Sequence, residues 1–381
     1  APLYFEGLVI TGFAGAEFAA RGRVKAFDAS NGSLVWTFYT VPGPGEFGHD
    51  SWPSDSTAWQ TGGGTVWHTP AVDPDLGLIY FSTGNPGPDY NGAIRAGDNL
   101  FTASIVAIDA YTGEYRWHFQ QVHHDIWDYD APNPVVLFDL EYDGVPRKGL
   151  AQAGKTGWVY ILDRVTGEPL VGIEERAVPQ EPRQATAATQ PFPVGDPFVT
   201  QTLDIPPEGF DLTNQGKIFT PFWDEPILLK RGEANWPPST VDPTRGYMYV
   251  CAGERQAAYS TQTDTDLASS GDRYTGGSMR FAPVPTTGVV AAVNLRDNKV
   301  VWSQRWSSRC YSGLVASAGG LVFAGRNDGR FTAIDSENGR KLWEFMTDAG
   351  VNAPPAIFEH EGEQYVAVLS AGNLLAGSKR G

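Results

Sequence analysis

Residues 105–117 read IVAIDAYTGEYRW, and this stretch decides the fold. An apolar run ends at Asp109, Gly113 follows four residues later, and Trp117 follows four residues after that. Asp side chains cap tight turns by accepting backbone N–H groups, and Gly tolerates the positive φ angle that such turns require. The stretch therefore predicts a strand, a tight turn and a returning strand that carries a large aromatic side chain.

The same phrase recurs along the chain, which indicates a structural repeat. VKAFDASNGSLVW (24–36) and FTAIDSENGRKLW (331–343) keep the Asp, Gly and Trp positions. AAVNLRDNKVVW (291–302) keeps the spacing with Asn at both turn positions, whereas YILDRVTGEPLV (160–171) has Val171 at the Trp position. We assign the four tryptophans of this phrase to structure rather than chemistry: Trp36, Trp117, Trp302 and Trp343.

A second phrase repeats as VDPDLGLIYFSTG (72–84) and VDPTRGYMYVCAG (241–253). Together the two phrases define about six units, with starts near residues 6, 67, 150, 235, 314 and 350. Helical periodicity is not sustained anywhere, and short strand repeats close best as a β-propeller, which protects strand edges by radial stacking. We expect an all-β propeller with about six blades represented, as a single domain over residues 1–381 that is incomplete at both ends. The Pro-rich stretches 121–150 and 172–234 are predicted to be long loops on one face.

Composition excludes some classes of partner. The net charge of −16 disfavours binding to nucleic acid and to anionic membrane surfaces. No apolar run reaches the roughly 18 residues of a membrane span. The chain has no CxxCH sequence and therefore no attachment site for a c-type haem. Cys251 and Cys310 lie in strand-like stretches, which favours two buried free thiols, although their pairing stays open.

Three phrases carry oxygen-bearing side chains just after predicted strand ends. GAEFAARG contains Glu17, STGNPGP contains Asn85, and HHDIWDYDAP contains Asp125, Asp128 and Asp130. A single such residue is usually a turn or cap residue. Carboxylate and amide oxygens gathered from one face of several blades would instead suit a hard cation.

The run TVWHTPAVDPDLGLIYFSTGNPGPDYNG, together with AGKTGWVYILDRVTG and ANWPPSTVDP, resembles the quinoprotein alcohol dehydrogenases. That family consists of eight-bladed propellers that carry pyrroloquinoline quinone (PQQ) on the axis, and the resemblance covers nearly the whole chain. It implies PQQ-dependent oxidation of a small alcohol to an aldehyde or ketone. It also implies a periplasmic or secreted protein with a periplasmic cytochrome c as electron acceptor. The oligomeric state stays open, a homodimer being one alternative.

The resemblance also implies roles for individual residues. The implied metal ligands are Glu17, Asn85, Asp128 and Asp130. Asp128 would also be the catalytic base, and Lys155 would be the cation beside the quinone oxygens. The implied PQQ contacts, with Trp67 stacked under the quinone, are Gly15, Ala16, Thr65, Trp67, Lys155, Asn235 and Trp236.

Asp130 bears on the identity of the ion. It is similar to the additional carboxylate of the lanthanide-dependent members, and a third carboxylate better neutralises a trivalent ion. We therefore expect a lanthanide rather than Ca²⁺. Two features depart from the family: no adjacent Cys-Cys pair is present, and Ala14 stands where many members carry Ser.

Three alternatives remain at this level. A polymer- or sugar-oxidising quinoprotein, similar to polyvinyl-alcohol dehydrogenase, would share the cofactor site, and the long 172–234 segment favours it. A non-catalytic propeller scaffold would have no reason to keep Glu17, Asn85 and Asp128 together. An incomplete site that binds nothing is the third alternative.

Overall fold

The computed structural model describes residues 1–381 except 204–205, 210–211, 263–270, 272, 375 and 379–381. In the described residues, regular structure consists of 25 strands and five short 3₁₀ helices. None of those helices has the length and apolar character needed to cross a bilayer. The 3₁₀ helices are Ala16–Phe18, His49–Ser51, Ala58–Thr61, Pro182–Gln184 and Asn214–Gly216.

Three blades are regular four-stranded antiparallel sheets in which consecutive strands are neighbours. Blade 1 comprises β1 (Leu3–Phe5), β2 (Leu8–Thr11), β3 (Arg23–Asp28) and β4 (Leu34–Tyr39). Blade 2 comprises β5 (Ala71–Asp73), β6 (Leu78–Ser82), β7 (Ser104–Asp109) and β8 (Tyr115–Gln120). Blade 5 comprises β20 (Leu314–Ala316), β21 (Leu321–Gly325), β22 (Arg330–Asp335) and β23 (Lys341–Met346).

The remaining sheets are less regular. Blade 3 has three strands, β9 (Val136–Tyr142), β10 (Val145–Ala153) and β11 (Val159–Asp163), and is followed by a hairpin of β12 (Ile173–Ala177) and β13 (Thr189–Pro193). The six-stranded sheet of blade 4 contains β14 (Ile227–Glu233), β15 (Thr240–Asp242), β16 (Tyr247–Thr261), β17 (Gly277–Phe281), β18 (Thr287–Asn294) and β19 (Lys299–Trp306). A two-stranded sheet of β24 (Ala356–His360) and β25 (Glu363–Ala367) comes last.

Strand β16 pairs with different strands along its length within the single sheet of blade 4. Its first half pairs with β15 and β18, as in an ordinary blade. Its second half, 254–261, pairs with β14 and β17 instead. We call β14, β17 and residues 254–261 the blade 4 extension.

Tryptophan side chains join neighbouring blades through one repeated contact. The indole N–H of each donates to a backbone carbonyl in the turn of the next blade, and the ring covers the glycine of that turn. The donor and acceptor pairs are Trp36 and Ala110 (3.1 Å), Trp117 and Arg164 (3.2 Å), and Trp302 and Ser336 (3.0 Å). The structural role predicted for these three tryptophans is confirmed. Trp343 is half exposed and packs edge-on against Phe331.

The junction between blades 3 and 4 uses a different contact. Val171 replaces the tryptophan, and the fourth strand of blade 3 is reduced to a single bridge between Leu162 and Pro169. The Asn298 side chain in blade 4 donates to the carbonyl of Val159, at 3.0 Å. An amide therefore makes the inter-blade hydrogen bond that an indole makes elsewhere.

The predicted blade boundaries are only partly correct. The all-β propeller is confirmed, but blade 3 begins at Val136 rather than near residue 150. Strand β9 and the first part of β10 lie within 121–150, and β12, β13 and β14 lie within 172–234, so both loop predictions are wrong over these strands. Apolar and polar residues alternate in LFDLEY (137–142), and with the Asp143–Gly144 turn this pattern indicates a β-hairpin. The charged and proline residues of the stretch obscured that pattern in the sequence.

The prediction of two free thiols is wrong, because Cys251 and Cys310 form a disulfide with Cα atoms 5.4 Å apart. The bond joins β16 to the segment that follows β19. Gly288 on β18 permits this approach, since a side chain there would collide with the backbone of Cys310. Sequence separation alone does not reveal such proximity.

A glycine pair tests the inter-blade contact. Gly167 has φ +81°, and a Cβ there would lie 2.7 Å from the Trp117 ring, whereas Gly32 has φ +74° and open space around it. Both substitutions to Ala incur a left-handed backbone cost of about 1 kcal/mol, but only Gly167→Ala adds about 2 kcal/mol of overpacking. We expect urea denaturation to show a loss of about 3 kcal/mol for Gly167→Ala and about 1 kcal/mol for Gly32→Ala. Equal losses would contradict the proposed ring contact.

Candidate functional site

The three predicted ligand phrases all follow strand ends, as the sequence indicated. Glu17 lies in the 3₁₀ helix after β2, Asn85 lies just after β6, and Asp128 lies in the segment after β8. Asn85 is buried, whereas Glu17 and Asp128 are partly exposed. The strand ends therefore deliver an amide and two carboxylates from blades 1 and 2.

Backbone contacts hold these segments against one another. The N–H of Ala131 donates to the carbonyl of Thr83 at 3.1 Å, which joins the Asp128 segment to the end of β6. A Cβ on Gly87 would lie 3.6 Å from the carbonyl oxygen of Ala16, so the Asn85 segment packs against the Glu17 turn. The three segments thus form one continuous surface.

Asp125 shapes the backbone that presents Asp128. Its buried carboxylate accepts the N–H groups of Trp127 (2.8 Å) and Tyr129 (2.7 Å). Burial raises the pKa of Asp125 to about 6, and the two N–H donors oppose that shift. Asp128 adopts φ +57° within this turn, a left-handed conformation that costs a non-glycine residue about 1–2 kcal/mol. Asp125 therefore has a structural role.

Lys155 lies between the two other carboxylates of the phrase. Its Nζ donates to Asp128 Oδ1 at 3.1 Å and forms an ion pair with Asp130. Lys155 and Asp130 are almost fully buried. Burial opposes the charged form of Asp128, but Lys155 and Arg231 outweigh it and hold the Asp128 pKa below its ordinary value. Burial, reinforced by the Asp128 charge, raises the pKa of Asp130 to about 8 despite the opposing effect of Lys155.

Arg231 is a second buried cation at Asp128, and the sequence did not reveal it. Its Nη2 donates to Asp128 Oδ2 at 2.9 Å and to the Asp128 carbonyl at 2.7 Å. Arg231 lies on β14, within the stretch that was expected to be a loop. A lone Arg in such a stretch carries no motif, so no sequence signal identified it.

Asp89 is another carboxylate that sequence reasoning missed. It is buried four residues after Asn85, and its Oδ1 has no hydrogen-bond partner in the described part of the chain. Burial and the nearby charges of Asp128 and Glu17 raise the Asp89 pKa well above its usual range. Within the described residues, no three His, Cys, Asp or Glu side chains already stand at metal-ligand spacing. The charges of Asp128 and Glu17 thus act on Asp89, but the described carboxylates do not form a complete coordination shell.

A pocket of about 750 Å³ brings together three of the predicted PQQ contacts, Trp67, Asn235 and Trp236. Tyr311, which sequence reasoning missed, completes its aromatic wall, with its ring 5.6 Å from Trp236 and perpendicular to it. The remaining lining residues are Ala1, His68, Thr69, Pro70, Pro134, Val135, Pro238 and Pro354. The pocket is predominantly apolar with flat aromatic side chains at its wall.

The other predicted PQQ contacts lie outside the lining of this pocket. Thr65 is buried two residues before Trp67, and its carbonyl accepts the N–H of Gly84 at 2.8 Å. Gly15 has φ +101° and precedes the buried Ala16 in the Glu17 turn. These residues therefore belong to the segments around the carboxylates.

A chain of charged contacts connects the pocket to Asp128. The Arg309 guanidinium lies 3.9 Å from the centre of the Tyr311 ring. Arg309 donates to Glu233 at 2.6 Å, and Glu233 also accepts from Arg231. The aromatic pocket and the carboxylate cluster are therefore two parts of one site.

Comparisons with known proteins place this architecture among related chains. A family model described as "PQQ: Glucose/ethanol/alcohol dehydrogenase, beta-propeller domain" matches residues 1–281 and 281–366. Quinohemoprotein alcohol dehydrogenase ADH-IIG of Pseudomonas putida is 33% identical over 97% of this chain and 52% of its own length. The lanthanide-dependent methanol dehydrogenase of Methylorubrum extorquens is 31% identical over 95% of this chain and 62% of its own length.

A solved structure of a related enzyme is also similar to this chain. A europium-containing methanol dehydrogenase matches with a TM-score of 0.74 and 28% identity, over 97% of this chain and 65% of that chain. The chain spans about half the length of ADH-IIG and less than two thirds of the methanol dehydrogenases.

A substitution of Lys155 in the ligand-free protein tests whether this lysine compensates the charges of Asp128 and Asp130. Lys155→Met removes a cation from two buried carboxylates, so we expect the free energy of unfolding in urea at neutral pH to fall by about 3 kcal/mol. The double variant Lys155→Met/Asp130→Asn should recover part of this loss, because it removes one of the stranded carboxylates. Lys299→Met, at an exposed lysine, is the control. A loss no larger than that of the control would contradict the buried ion pairs.

Proposed function

Because the chain belongs to the PQQ-dependent glucose, ethanol and alcohol dehydrogenase family, by its β-propeller domain, we propose that it oxidises an alcohol to an aldehyde or ketone. One observation carries the proposal: charged contacts through Arg231, Glu233 and Arg309 connect the Asp128–Lys155 pair to a pocket with an aromatic wall. Such a site places a proton acceptor and a cation next to a surface suited to a flat cofactor.

The pocket fits PQQ by its shape and chemistry. Its volume of about 750 Å³ lies within the range of small-molecule sites, and Trp67, Trp236 and Tyr311 provide flat apolar surface. Lys155 supplies positive charge for an anionic or electron-rich group nearby. When bound, PQQ supplies the two-electron oxidation.

The carboxylate cluster fits a hard cation. The Oδ1 of Asp89 is buried and has no hydrogen-bond partner in the described residues, and the charges of Asp128 and Glu17 act on it. Glu17, Asn85, Asp128 and Asp130 would hold the ion through oxygen atoms, the donors that Ca²⁺ and lanthanides prefer. When bound, the ion acts as a Lewis acid on the oxidant's carbonyl group.

The chain's own residues account for the proton and the developing charge. Asp128 is kept ionised by Lys155 and Arg231, so its carboxylate can accept the proton of the substrate hydroxyl. The buried Lys155 ammonium stabilises negative charge that develops beside it, since a preorganised cation is most effective where water is excluded. Trp67 fixes the plane of a stacked ring.

The ion is proposed to be a lanthanide. Asp130 adds a carboxyl group two residues after Asp128, and the buried Asp89 is a further carboxyl group close by. More carboxylates compensate a trivalent ion better than a divalent one. The similarity to the lanthanide-dependent methanol dehydrogenase supports the same choice.

The cellular setting is part of the proposal. A buried disulfide is typical of proteins that fold in an oxidising compartment, which supports a periplasmic or secreted location. A periplasmic cytochrome c is the proposed electron acceptor. The fold does not test the polymer-oxidising alternative, because β12, β13 and β14 occupy only part of 172–234.

Two substitutions separate catalysis from cofactor binding. In the protein reconstituted with PQQ and metal, Asp128→Asn should lower kcat by about 1,000-fold, because the proton acceptor is lost. Trp67→Ala should instead weaken PQQ binding by about tenfold, since it removes the stacking surface. Turnover with a small primary alcohol, and PQQ retention by absorption spectroscopy, measure the two effects. Near-normal turnover of Asp128→Asn, with Asp98→Asn as control, removes Asp128 from the base role.

Metal reconstitution tests the identity of the ion. PQQ-loaded protein stripped of metal should regain activity with La³⁺, and Ca²⁺ should restore less than about a tenth of it, because the surplus carboxylate charge favours a trivalent ion. Asp130→Asn should shift this preference toward Ca²⁺. Recovery with Ca²⁺ but not with La³⁺ would overturn the assignment.

A further inference from the structure

Arg231, a fully buried side chain of the blade 4 extension, reaches into the Asp128 segment. Its Nη1 donates to the carbonyl of Trp127 at 2.7 Å. Its Nη2 donates to both the carbonyl and the Oδ2 of Asp128, at 2.7 and 2.9 Å. One guanidinium thus fixes the peptide groups on either side of the Asp128 Cα atom, together with the Asp128 carboxylate.

Arg231 is itself held on its other edge. Its Nε donates to Glu233, which also accepts from Arg309 at 2.6 Å, and its Nη1 contacts the Tyr259 hydroxyl at 2.8 Å. Glu233 and Arg309 are buried, and although burial opposes the charged form of Glu233, the two arginines hold its pKa at about 2. These contacts fix the orientation of the Arg231 guanidinium independently of its bonds to Asp128.

The conformation of Asp128 explains why such a clamp matters. Its φ of +57° is unfavourable for a side chain with a Cβ and persists only where the surroundings over-determine it. Asp125 constrains this turn from within, through the N–H groups of Trp127 and Tyr129. Arg231 constrains the same turn from outside by donating to the carbonyl groups of Trp127 and Asp128. A planar guanidinium fixes the direction of these hydrogen bonds, whereas an ammonium group can rotate.

We propose that Arg231 is a positioning residue that fixes the Asp128 carboxylate for proton transfer. This inference rests on the proposed function only in treating Asp128 as the base. Lys155 bonds the other carboxylate oxygen and the Asp128 carbonyl, so removal of the Arg231 fork leaves Asp128 charged but held only by a rotatable ammonium. A misplacement on the order of 1 Å costs about 100-fold in rate.

Hydrogen–deuterium exchange of the protein without PQQ or metal tests the positioning directly. Arg231→Lys keeps the charge but loses the two-pronged contact, so amides within 126–131 should exchange about tenfold faster while those of the other blades stay unchanged. Arg305→Gln is the control, because Arg305 lies in blade 4 and pairs with Glu254 rather than Asp128. Unchanged exchange at 126–131, or faster exchange throughout the protein, would overturn the proposal.

Turnover provides the second measurement. With PQQ and metal bound, Arg231→Lys should lower kcat by about 10- to 100-fold and leave KM and PQQ affinity within about threefold. An unchanged kcat, or a change confined to KM, contradicts the positioning role. If Arg231→Lys does not fold, Glu233→Gln gives the same readouts, because it releases the guanidinium from its anchor. Should the unmodified protein show no PQQ-dependent turnover, the proposed function fails while the exchange measurement still decides the inference.

Discussion

The site depends on the compensation of buried charge around Asp128. Its carboxylate lies between the Lys155 ammonium on one oxygen and the Arg231 guanidinium on the other. Removing either cation would leave a largely buried charge without its partner, which is costlier than losing a surface ion pair. These ion pairs therefore stabilise the contact between the blade 2 segment, blade 3 and the blade 4 extension.

The tryptophan contacts set the relative orientation of neighbouring blades, which brings these three segments together. Each indole joins one blade to the next by a hydrogen bond and by ring packing on a glycine, so the angle between blades is set by the same contact each time. Segments that leave equivalent strand ends then emerge on the same side of the ring. Glu17, Asn85 and Asp128 each follow a strand end, and the charges of Glu17 and Asp128 both act on the buried Asp89 although these residues are far apart along the chain.

Much of this could be predicted from local patterns. The Asp, Gly and Trp spacing encodes the turn, and it predicted the propeller and a structural role for Trp36, Trp117 and Trp302, which the structure shows to be the joining of blades. Trp67 and Asn235 share a pocket as the resemblance implied. Arg231 and Asp89 were missed because their importance comes from what surrounds them in space, and neither carries a motif. The Cys251–Cys310 bond was missed for the same reason, since it depends on the side-chain space left open at Gly288.

Strand β16 runs without interruption from blade 4 into its extension. The extension is thus built as a continuation of the blade, with Arg231 fastened to the opposite segment, and it has no hinge of its own at Gly253 or Glu254. Because Arg231 on this continuous sheet bonds Asp128, a shift of blade 4 would be transmitted to the carboxylate without a flexible joint between them.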